Sequence, residues 1–116
     1  MVIFLVAVCS VFLHVGIGWE ATIVAGLLGG MVWHDRWPQA AAGVLLGWIL
    51  LVIYTPIVAP AAFRVLVDTL GAFAGNIPGE AVVGLTVLLG GILGGIGASA
   101  GRVLRLLADP DAGTVS

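Results

Sequence analysis

Lysine is missing altogether, and charge of either sign is scarce. The 116 residues carry four arginines, six carboxylates and two histidines. Only 9% of the chain is charged, against about 25% in an ordinary soluble domain. A small domain has much surface to wet, so this shortfall argues against life in water. With a formal net charge of −2 there is also no basic face for nucleic acid. Cysteine is nearly absent as well: Cys9 alone excludes an internal disulfide or a multi-cysteine zinc site.

What fills the chain is apolar. Hydrophobic residues make up 61% and mean hydropathy is +1.24. No formal charge falls within 1–19, 21–34, 37–63 or 81–101, and apolar runs of about 18 or more residues read as bilayer spans. The opening MVIFLVAVCSVFLHVG lacks a positive n-region and a small-x-small cleavage site, so it reads as a structural helix rather than a secretion signal.

These patterns predict an all-α integral membrane protein with four transmembrane helices and one short interfacial amphipathic helix. The spans fall at about 2–17, 20–37, 40–59 and 79–101, within a single transmembrane domain covering 1–108, and 109–116 reads as a flexible tail. The second apolar run ends near Trp33, only ~21 Å along a helix, so it either reaches Trp37 or folds as a re-entrant hairpin. Trp19, Trp33 and Trp37 stand where interfacial aromatic belts stand. Between the third and fourth spans, Phe63, Leu66, Val67, Leu70 and Phe73 share a helical face, with Arg64 and Asp68 spaced as an i,i+4 pair on another. That pattern predicts an interfacial helix at about 62–74. Arg36, Arg102 and Arg105 fall on one side of such a topology and Arg64 on the other, which places both termini in the cytoplasm of a prokaryotic cell whose plasma membrane holds the chain.

Glycine is the abundant residue, with 18 copies. The stretch LLGGILGGIGASAGR (88–102) imitates a phosphate-binding loop, yet the Gly95-x-Gly97-x-x series closes on Ala100 and Gly101 is followed by Arg102 and Val103. Neither a dinucleotide fingerprint nor a P-loop is complete, so no nucleotide is expected. Four-residue spacings explain the glycines better: Gly90 with Gly94, Gly91 with Gly95, Gly97 with Gly101, Gly26 with Gly30, and Gly43 with Gly47. In lipid, close approach of bare backbone holds helices together. Such faces predict packing against other transmembrane helices, first in a homo-oligomer, with burial within the single chain or docking against other membrane subunits as the alternatives.

Counting the helical rise from the flanking turns puts His14, Tyr54, Thr55 and Thr86 at one depth, near Glu20 and the Pro56 kink. Intramembrane ionisable groups are costly and default to functional sites, so these five residues form the candidate polar site. The plainer alternative is local satisfaction: a neutral histidine bonded to a hydroxyl, Thr55 serving carbonyls freed by Pro56, and Glu20 at a helix start. His14 and His34 lie about 15 Å apart in depth, too far for one haem. Ser10 and Ser99 have no His–Asp relay. Neither an enzyme, a metal nor a cofactor is expected.

In length and in a single membrane-edge carboxylate the chain resembles the small four-helix multidrug exporters. Their acid lies within the first helix in a small-residue motif, which GWEATIV (18–24) does not reproduce, so no site residue carries over. Two functions remain as expectations. The first is a structural or accessory membrane subunit, and the second is a small oligomeric channel or transporter for an ion or small solute.

Overall fold

The computed structural model describes residues 1–113, all of them in helices and the turns that join them. Residues 114–116 of the expected tail lie outside the described residues. The elements are α1 (Val2–Gly16), α2 (Ala21–Val32), a 3₁₀ turn (His34–Arg36), α3 (Trp37–Val58), α4 (Pro60–Phe73), α5 (Gly79–Ala108) and a second 3₁₀ turn (Pro110–Gly113). Two stretches are long and apolar enough to cross a membrane, His34–Val58 and Gly79–Ala108. Helices α1 and α2 are apolar but shorter.

Several bounds differ from the sequence reading for identifiable reasons. Helix α2 stops at Val32 because Trp33 leaves the helical region, and α3 starts three residues early with Pro38 in its first turn, where a missing N–H costs nothing. Pro56 lies inside α3 without ending it. Helix α5 runs on through Arg102 and Arg105 to Ala108, since neither residue breaks a helix, and Arg105 reaches Asp109 at 3.6 Å. Residues 88–102 are helical throughout. At 109–113 the expected tail begins with a 3₁₀ turn.

The bundle is assembled through its glycines. A Cβ added to Gly26 would lie 2.6 Å from the Gly94 carbonyl oxygen, and one on Gly97 would lie 2.5 Å from that of Ile23. Gly30 faces the Ala98 carbonyl and Gly101 that of Leu27 at closer range still. Register rises together on both helices, so α2 and α5 run parallel, backbone on backbone. Helices α1 and α3 form a second parallel pair: Gly43 meets the Ile3 carbonyl and Val6, and Gly47 meets the Ala7 carbonyl and Ser10. The pairs lock together antiparallel where Gly90 receives the Trp48 ring, Gly91 receives Leu45 and Gly94 receives Val44. Of the ten glycines read as packing surface, Gly95 is the exception, with nothing within 4 Å of its Cβ position. Gly29, against Ala40 and Val6, joins the set.

The interior is correspondingly made of small side chains: Val2, Val6, Ala25, Ala40, Val44 and Ala98 form the core, and Trp33, Trp37 and Trp48 pack against it. Trp33 and Trp37 are thus half-buried packing residues, while Trp19 stays exposed. Helix α4 lies across the end of the bundle where α3 finishes and α5 starts. Its Phe63, Val67 and Gly71 turn inward, and Val65 and Phe73 are exposed. Among the described residues Arg64 and Asp68 form no ion pair, although their spacing suggested one.

These contacts give opposite signs for one chemical change. Gly101→Ala drives a methyl into the Leu27 carbonyl and Met31 amide, and is expected to lower stability in detergent by about 1–3 kcal/mol. Gly95→Ala meets open space and is expected to raise it by up to about 1 kcal/mol through helix propensity. Thermal or denaturant unfolding followed by circular dichroism checks both.

Candidate functional site

The residues matched by depth separate once their directions around the helices are known. His14, Thr55 and Thr86 all line one half-open pocket of about 270 Å³ between α1, α3, α4 and α5, with Thr55 at its exposed side. Its apolar wall includes Trp48, Phe63, Leu66, Val67 and Leu70. Tyr54 does not join them. It is 59% exposed and borders a separate apolar cleft with Val8, Phe12, Val15 and Leu50. Glu20 is also outside: it sits exposed at the start of α2, its Oε2 folded back over Gly18, which turns the chain with φ +124°. It makes no side-chain cap to α2.

Helix geometry explains the division. Adjacent residues on a helix point about 100° apart, so Tyr54 and Thr55 cannot face the same neighbour. Thr55 donates to the Leu51 carbonyl at 2.7 Å, and Thr86 donates to the Val82 carbonyl at 2.9 Å. Thr55 therefore does not serve the carbonyl that Pro56 frees, which is that of Val52, four residues back. Val52 stands in the cavity wall.

Two residues that the sequence reading passed over organise this region. The Trp48 indole crosses the His14 ring edge to face, with centroids 5.0 Å apart, and its Nε1–H donates to Thr22 Oγ1 at 3.2 Å. Thr22 is 1% exposed, so this bond ties α2 to α3 inside an apolar interior. A tryptophan N–H in a charge-free run, with a glycine row opposite, was the available signal. His14 Nδ1 is occluded and has no hydrogen-bond partner among the described residues.

No group of three or more histidine, cysteine, aspartate or glutamate side chains capable of holding a metal occurs among the described residues. His34 meets Asp35 at 3.2 Å in the turn before α3, far along the bundle from His14. The pocket thus sets the Thr55 and Thr86 side chains and the His14 ring in an aromatic and aliphatic wall. In comparisons with known proteins, no family model, no curated protein and no solved structure matches this chain.

Thr22→Val keeps the shape at position 22 but strands the Trp48 N–H. It is expected to destabilise the bundle by about 1–3 kcal/mol, whereas Thr22→Ser retains the acceptor and most of that stability. Parallel unfolding curves of the two variants decide whether the hydrogen bond or the packing matters.

Proposed function

We propose that this chain is an integral membrane protein in which α1, α2, α3 and α5 all cross the bilayer, α4 lies in the interface and both termini face the cytoplasm. It acts as a structural or accessory subunit of the plasma membrane, and no reaction is assigned to it. The observation that carries this reading is the inverted surface. Large apolar side chains are exposed on every helix, among them Phe4, Phe12, Leu28, Ile53, Leu88 and Ile96, while the core is glycine, alanine and valine. In water, apolar patches of this extent drive association, whereas in lipid they are the solvated face.

The glycine ridges bear on the partner. Nine of the ten expected packing glycines are occupied within the chain, so contacts with a second copy or another subunit fall to the aliphatic outer faces instead. The bilayer itself is the first partner.

A second reading is favoured by one observation, the meeting of His14, Thr55 and Thr86 at a common cavity: a small oligomeric channel or transporter for an ion or small solute. Flux separates the two. An accessory subunit reconstituted in liposomes leaks neither protons, ions nor small solutes, with or without His14→Ala; a transporter moves one of them, and His14→Ala reduces the rate.

Topology is tested by single cysteines in a Cys9→Ala background. A membrane-impermeant maleimide is expected to label Glu20→Cys and Asp68→Cys from outside intact cells, and Asp35→Cys and Asp109→Cys only after lysis. Labelling of positions 20 and 35 from the same side would overturn a four-span arrangement.

A further inference from the structure

We propose that the cleft between α4 and the facing ends of α3 and α5 binds one phospholipid whose headgroup is a zwitterion, a phosphate carrying a primary ammonium. The inference rests on the proposed placement of α4 in the membrane interface. It adds an occupant that neither proposed function requires.

The cleft is open and holds about 680 Å³, within the roughly 300–1,000 Å³ of small-molecule sites. Val52, Ile53, Ile57, Phe63, Val67 and Val83 give it an apolar wall, and Arg64, Asp68 and Glu80 are the charged residues that line it. Helix packing brings the two acidic positions to the same cleft. A Cβ on Gly79 would lie 2.7 Å from Val67 Cγ1, so α5 begins directly against α4 at this point. The next residue on each helix is acidic, Glu80 after Gly79 and Asp68 after Val67. Arg64 stands one turn before Asp68, a spacing that puts Cβ atoms about 5–6 Å apart.

None of the three forms an ion pair among the described residues, whereas Arg105 meets Asp109 and His34 meets Asp35 at the opposite end of the bundle. Charges left unpaired beside an apolar wall fit a guest that brings both signs on an apolar body. The ethanolamine headgroup does so: two carbons separate its ammonium, a donor that suits Asp68 and Glu80, from a phosphate that suits Arg64. The acyl chains belong on the apolar wall. Other amphiphiles complement one half only. An anionic lipid satisfies Arg64 and meets two carboxylates, a cationic one meets the arginine, and a sterol leaves all three charges unanswered.

The test is a titration of the full chain in uncharged dodecyl maltoside micelles, read on the Arg64 Nε–H resonance assigned by Arg64→Gln. Dihexanoyl phosphatidylethanolamine is expected to give a saturable shift at Arg64 while Arg36, Arg102 and Arg105 stay unmoved. Dihexanoyl phosphatidylglycerol, with the phosphate but no ammonium, is expected to bind about fivefold more weakly, the worth of one exposed ion pair. Asp68→Asn combined with Glu80→Gln is expected to erase that preference, and the two lipids on the unaltered chain still decide if this variant fails to fold. Phosphatidylglycerol binding as tightly as phosphatidylethanolamine overturns the proposal. So does free phosphoethanolamine binding as tightly as the lipid, a preference that survives in the double variant, or a shift common to all four arginines. The cysteine labelling of topology is a separate readout: a failed four-span arrangement shows there, and a failed headgroup site shows only in the titration.

Discussion

Everything in this bundle depends on the backbone contact between α2 and α5. Where Gly26, Gly30, Gly97 and Gly101 meet carbonyls of the facing helix, the axes come closer than any side chain allows. That proximity brings many weakly attracting atoms into range at once. It also sets the register of α5, and with it the rows at Gly90, Gly91 and Gly94 that accept Trp48, Leu45 and Val44 from α3. The antiparallel join of the two helix pairs therefore inherits its position from a parallel seam of glycine and alanine.

The polar interior follows from the same seam. Once Trp48 lies in the Gly90 gap, its indole N–H reaches Thr22 and its ring meets His14 edge to face. The His14 ring and the Thr86 hydroxyl are then held at one pocket, which α4, docked through Phe63 and Val67, partly covers. A site of this kind needs no charged residue in the apolar interior. Helix-bonded hydroxyls supply polarity without the desolvation that a carboxylate at that depth carries.

Much of this was legible beforehand, and the failures have a common cause. Helical rise converts sequence distance to depth, so the shared level of His14, Thr55 and Thr86 could be counted from the turns. Direction around the axis needs the neighbours, and for that reason Tyr54 was grouped with a cavity it turns away from. Four-residue glycine spacing announced close helix contacts but not their partners, because a bare ridge is the same whether its own chain or another fills it. Gly95 has the right spacing and faces nothing. Arg102 and Arg105 read as the end of a span; they mark where polarity begins, while the backbone hydrogen bonds of α5 continue regardless. Arg64 and Asp68 have the spacing of an ion pair without making one, as solvated side chains gain little from pairing.

The unequal helices have a mechanical corollary. Fifteen residues in α1 and twelve in α2 give rods of about 22 and 18 Å, beside about 33 and 45 Å for α3 and α5. In the proposed four-span arrangement the short flank would pinch the hydrocarbon slab inward while the long flank tilts, at a modest elastic cost for each ångström of mismatch. The same arrangement would sit with least strain in thin lipid and with most in thick, sterol-stiffened lipid.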